Sequence, residues 1–210
     1  MAAPRNPKIA SEFLDRVLHG ESAMLCDGGM GTLIQQAGLA RVHEVPDLLN
    51  LTHADEIREL QRRYVEAGSD CIATNTFSSN RLKLAGTDAS VDELYAAAAR
   101  IAREAGAQLV AGDIGPTGKL LAPLGPLSFG EAYDIFAEQA RAAHEAGCDL
   151  IFLETFADLL EAKAALLAVR ENSDLPAIVT MTFEEDSRTF LGTTPEVASL
   201  TLSSLGAAAV

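Results

Sequence analysis

The sequence predicts an α/β chain of the (β/α)8 barrel class, ending after about five and a half strand–helix units. Three observations predict it. First, Glu66-Ala67-Gly68-Ser69-Asp70-Cys71-Ile72 returns as Glu104-Ala105-Gly106-Ala107-Gln108-Leu109-Val110, and again as Glu145-Ala146-Gly147-Cys148-Asp149-Leu150-Ile151. Each copy closes a helical stretch with a glycine able to take the left-handed cap conformation, then enters an apolar run that reads as a strand buried on both faces. Second, polar residues stand at the carboxyl ends of successive strands, where a barrel gathers its functional groups: Asp27, Thr74 with Asn75, Asp113, Glu154 and Thr182. Third, the first turn, Asp27-Gly28-Gly29-Met30-Gly31-Thr32, does not fit the G-x-G-x-x-G of an open dinucleotide-binding sheet.

The elements follow in order. Helices are expected over 11–19, 54–67, 91–105, 129–146, 159–170 and 195–205. Ser90 with Glu93 and Ser128 with Glu131 are capping boxes, and Thr52 with Asp55 is a weaker one. Thr194 before Pro195 supplies an N-cap with proline at N1. Strands are expected over 23–27, 71–75, 109–113, 150–154 and 177–183, with a sixth beginning at 207–210. No linker divides the chain, so residues 1–210 read as one domain. Eight units take about 250 residues; this sequence has 210.

Thirty acidic residues face sixteen basic ones, a formal net charge of −14. That balance disfavours nucleic acid and anionic membrane surfaces, which both demand a basic footprint. No apolar run reaches the length of a membrane span, and no secretory leader is readable at the amino terminus. Three cysteines without close pairing (Cys26, Cys71 and Cys148) suit a reduced, cytoplasmic setting.

Several residues are candidates for chemistry. Asp27 sits where a strand turns into Gly28-Gly29, and adjacent glycines let a ligand approach the backbone; capping the turn is its bland role. Asp113 leads into Ile114-Gly115-Pro116-Thr117-Gly118-Lys119, which fails as a phosphate loop because the glycine spacing is one too long and Leu120 replaces Ser or Thr. Glu154 ends the apolar run Leu150-Ile151-Phe152-Leu153 and so needs a partner, from a ligand ammonium, a lysine or backbone donors. Thr74 and Asn75 suit the orientation of a polar ligand. Asn80 and Arg81 fit loop and surface equally. Cys71 and Cys148, at strand amino ends, read as buried and inert, and Cys26 stands alone. His19, His43, His53 and His144 are scattered at no metal-ligand spacing. An aldolase-like lyase would want a strand-end lysine, whereas Lys119 lies in a loop and Lys163 in a helix.

Taken together, several segments resemble the homocysteine S-methyltransferase family. They are residues 27–32, Thr74-Asn75-Thr76-Phe77 with Asn80-Arg81, residues 112–118, Glu154-Thr155-Phe156 with Asp158, Glu161 and Lys163, and Thr182-Phe183 through Gly192-Thr193. The run 115–129 is most similar to the amino-terminal module of cobalamin-dependent methionine synthases. The resemblance covers about residue 20 to the end.

It implies a (β/α)8 barrel binding homocysteine at its carboxyl-end mouth. Asp27 and Glu154 would hold the amino group, backbone N–H groups near Gly28 and Gly29 the carboxylate, and Asn75 and Asp113 would complete the mouth. It also implies methylation of the thiol to methionine. Methylcobalamin and methyltetrahydrofolate modules are the expected donors, with S-methylmethionine or betaine as alternatives. Zinc is implied as well, on three cysteines, one after the sixth strand and an adjacent pair near the eighth. None of Cys26, Cys71 and Cys148 matches those positions. The expectation is therefore a partial barrel that binds no catalytic zinc alone and partners the rest of the barrel and the donor modules. The alternative is a non-catalytic fragment with only a homocysteine-binding or structural role.

Overall fold

The structure, a computed structural model, describes residues 7–39 and 45–210, with side chains from Glu12 onward. Among them four parallel strands form one sheet in sequential order: β1 (Cys71–Ala73), β2 (Leu109–Ile114), β3 (Leu150–Phe156) and β4 (Ala177–Met181). The helices are α1 (Pro7–Leu18), α2 (Met30–Gln36), α3 (Leu49–Thr52), α4 (Ala54–Glu66), α5 (Val91–Ala105), α6 (Phe129–Glu145), α7 (Leu159–Asn172) and α8 (Pro195–Ser204). Strands and helices alternate from α4 onward, as the repeat requires.

The repeat has a common physical role. Gly68, Gly106 and Gly147 all take positive φ (105°, 102° and 75°), reversing the chain from helix to strand. Its aspartates then tie the amino end of one strand to its neighbour. Asp70 Oδ2 accepts the Leu25 amide at 2.9 Å, and Asp149 Oδ2 accepts the Val110 amide at 2.8 Å.

Side chains alternate across the sheet. Ile72, Val110, Ile151, Leu153 and Val179 point outward into the core shared with α5, α6 and α7, where buried alanines let the helices approach closely. Cys71, Leu109, Ala111 and Leu150 point to the inner face, where Leu14, Phe13 and Leu18 of α1 cover the strand amino ends. Both predicted capping boxes form, at Ser90 and Ser128.

Several boundaries differ from expectation. The first strand, 23–27, is reduced to an isolated parallel bridge between Cys26 and Cys71, and the sixth to a bridge between Ile178 and Ala209. Among the described residues each is an outermost segment with a neighbour on one side only. Even so, the bonds from Asp27 N to Cys71 O (3.1 Å) and Val179 N to Ala209 O (3.0 Å) place both segments in sheet order. Strand β1 stops at Ala73, because Thr74 and Asn75 turn into loop hydrogen bonds; β3 runs on to Phe156; and β4 stops at Met181. The Thr52–Asp55 box does not form. His53 is the N-cap of α4, and the Thr52 hydroxyl donates back to Leu48 O instead. Helices α2 and α3 and a 3₁₀ turn at Pro46–Leu48 were not expected, and α1 begins at Pro7 rather than residue 11. His43 lies outside the described residues.

Candidate functional site

A cavity of about 550 Å³ opens at the carboxyl ends of the strands. All six sequence-predicted positions (Asp27, Gly28, Gly29, Asn75, Asp113 and Glu154) line it. The reason lies in the pleat. Asp113 and Glu154 share the inward parity of Ala111 and Phe152, so they emerge on the cavity side beyond the apolar layer of the inner face.

Asp27 is fixed by the strand beside it: both carboxylate oxygens lie 3.2 Å from Ala73 N. Burial pushes its carboxyl up to about 7, opposed by the Ala73 hydrogen bond and reinforced by the charge of Glu154. Gly28 passes so close to α4 that a Cβ there would lie 3.1 Å from the Tyr64 hydroxyl. A side chain at this position would have to shift the Tyr64 ring by a few tenths of an ångström.

Asp113 is 4% exposed. Its main chain is locked: its N–H donates to Thr74 Oγ1 (3.0 Å), and its carbonyl accepts from Thr76 Oγ1 and Tyr95 Oη (2.8 Å each). No N–H group or hydroxyl donates to its Oδ1. Burial first, then the charges of Glu154, Asp47 and Asp27, hold its carboxyl far above the ordinary range. It lies within electrostatic reach of Glu154, whose own carboxyl is raised by burial. The two carboxyls therefore titrate as a pair, both held above the ordinary range.

Asn75 donates to Pro46 O (3.0 Å) and to Asn50 Oδ1 (3.3 Å), and its own carbonyl accepts from Asn50 Nδ2 (2.7 Å). It thus ties the 3₁₀ turn and α3 to the end of β1. Its amide is largely committed to the protein, so orienting this wall is its first role.

Sequence reasoning missed Asp47. This residue is 2% exposed and lines the cavity. Its Oδ2 accepts both the Ser78 amide and the Ser79 hydroxyl at 2.7 Å. Burial raises its carboxyl to about 6 against those bonds. The only available signal, a Pro-Asp pair at a turn, is too common to identify a site. Thr155 and Thr180 also line the cavity and were not singled out as ligand-facing.

Among the described residues, the cavity wall thus carries four carboxyls and no lysine, arginine or histidine. In the chain as a whole, the homocysteine S-methyltransferase family model matches residues 24–210.

The chain belongs to that family.

A methionine synthase of Mycobacterium leprae is 31% identical over 206 residues, covering 89% of this chain. The chain spans 17% of that relative's length. Among solved structures, the oxidised and metallated forms of the homocysteine methyltransferase MmuM from Escherichia coli each superpose with a TM-score of 0.77 at 21% identity. They cover 90% and 91% of this chain, and 72% and 74% of their own chains respectively. At that identity the likeness speaks for the fold, which is that of the methyltransferase barrel.

Zinc, implied by the family resemblance, does not fit the donors described. Among the described residues no three His, Cys, Asp or Glu side chains gather as a metal site. Cys71 and Cys148 are buried, with thiols pushed upward by desolvation, Cys148 to about 12. Among the described residues no helix is long and apolar enough to cross a membrane.

Proposed function

We propose that the cavity binds the amino-acid end of L-homocysteine, whose thiol is then methylated to give methionine. The observation that carries this reading is a wall that gathers four carboxyls, with no basic side chain among its described residues. Grouped carboxyls repel one another and resist ionisation, and an incoming ammonium relieves both penalties. Asp27 and Glu154 are the groups that hold it, with Asp113 behind Glu154. The side-chain-free backbone at Gly28 and Gly29 offers amide donors to the ligand carboxylate. The apolar wall at Phe152 and Ile178 accommodates the methylene chain.

The relative that shares 31% identity supports a methionine-synthase type of reaction. In that reading the methyl group comes from methylcobalamin, recharged by methyltetrahydrofolate, on separate modules in the cytoplasm. The cavity is large beside an amino acid, which suits the entry of a second reactant.

Calorimetric titration of the chain with L-homocysteine tests the site. Saturable binding is expected, weakened at least tenfold by Asp27→Asn and by Glu154→Gln. Unchanged affinity in both variants rejects the assignment.

A further inference from the structure

Strand β3 contains one residue too many. Its register with β4 runs Leu153↔Val179 and then Phe156↔Met181, so three steps on β3 match two on β4. The surplus is a β-bulge. Side-chain directions locate it. Phe152 and Glu154 face the cavity while Ile151 and Leu153 face the outer core. Regular alternation would turn Phe156 inward, yet it is fully buried in the outer core, its ring 5.8 Å from that of Phe136. Glu154 and Thr155 therefore both line the cavity.

Thr155 achieves this with φ of +65°, a left-handed conformation that is strained for a β-branched residue. Its N–H is held by Thr180 Oγ1 of the adjacent strand at 3.1 Å. Backbone strain of this kind persists only where the surroundings enforce it, and it concentrates at ligand sites.

We propose that Thr155 is a positioning residue: as the extra, left-handed residue of β3 it aims the Glu154 carboxyl at Asp113 and at the ligand ammonium. The ligand half of this inference rests on the homocysteine reading above; the carboxyl-pair half does not.

Deleting Thr155 is a direct test, because it restores regular alternation while leaving Phe156 facing outward. The deleted chain is expected to keep or raise its Tm. Its affinity for L-homocysteine should fall at least tenfold. In the unliganded protein, the ¹³C titration curves of Glu154 and Asp113 should separate from their coupled form. Thr155→Gly, which tolerates the left-handed conformation, should retain both the affinity and the coupled titration. Wild-type affinity and an unchanged carboxyl titration in the deletion overturn the proposal. So does a parallel loss of Tm and affinity in Thr155→Gly, which marks a merely structural role.

Should the deletion fail to fold, Thr180→Ala removes the acceptor that holds the Thr155 amide. It is expected to weaken binding at least threefold and shift the same titration; no change in either overturns the proposal. If the wild-type chain binds no homocysteine, the amino-acid reading fails, and the carboxyl titrations alone decide the role of Thr155.

Discussion

Asp149 and Val110 join two elements through one short bond: the carboxylate accepts the Val110 amide at 2.8 Å while pairing with Arg103 at 2.7 Å. The same repeat position, Asp70, accepts the Leu25 amide at 2.9 Å. Removing the Asp149 side chain takes the carboxylate from a largely buried Arg103 guanidinium, which keeps its bond to Gly147 O (2.9 Å), and from a strand amide. Asp149→Ala is therefore expected to destabilise the chain by about 2–3 kcal/mol. Asp70→Ala, which has no arginine partner of this kind, should cost about 1 kcal/mol. Urea denaturation of both variants checks the order.

A second prediction concerns the outer-core support of Asp113. The buried Tyr95 hydroxyl donates to Asp113 O and accepts from Gln139 Nε2 at 3.3 Å. Tyr95→Phe leaves a buried amide donor without an acceptor, so a loss of about 1–2 kcal/mol is expected by denaturation.

Glu161 provides a third. This α7 carboxylate is 4% exposed and accepts from the Thr117 amide (2.8 Å) and hydroxyl (2.5 Å), tying the β2–α6 loop to α7. Burial raises its carboxyl, and the two Thr117 bonds oppose that rise. Thr117→Val keeps the amide bond but removes the hydroxyl, so the raised range should climb further. A loss of about 1–3 kcal/mol at neutral pH is expected, smaller in acid where Glu161 is already protonated.

Asp27 links pH to both stability and binding. Its folded carboxyl titrates near 7, above the ordinary 3.8, so the folded state binds the proton more tightly than the unfolded one. Stability therefore falls as pH rises from about 4 through 7. Asp27→Asn still accepts from Ala73 and lacks that penalty. It should match the wild type near pH 4 and exceed it by about 2–4 kcal/mol at pH 8, while losing the ligand. Thermal melts at the two pH values check the crossover.

The strand order was legible in the Glu-Ala-Gly repeat, and the residues that line the cavity in the polar positions at strand ends. Both signals are local: a glycine that must reverse the chain, and a carboxylate closing an apolar run. What stayed hidden depends on tertiary neighbours. Asp47 comes from a short 3₁₀ turn with no periodicity, and only the loop at Ser78–Ser79 makes it a buried wall residue. The bulge at Thr155 is invisible because Leu153-Glu154-Thr155-Phe156 has no alternation that betrays an extra residue. Cys26 marks a strand that shrinks to one bridge, since among the described residues only β1 pairs with it.

If the acidic cavity recognises an amino-acid zwitterion through the Asp27 carboxylate, as proposed, binding must follow the ionisation of that group. The most direct measurement is the calorimetric affinity of the chain for L-homocysteine between pH 6 and pH 8 (about one unit either side of the Asp27 carboxyl). Affinity should rise with pH through about 7 as Asp27 ionises, and Asp27→Asn should flatten that dependence and weaken binding. Binding that is absent, or that strengthens as the pH falls, contradicts the account.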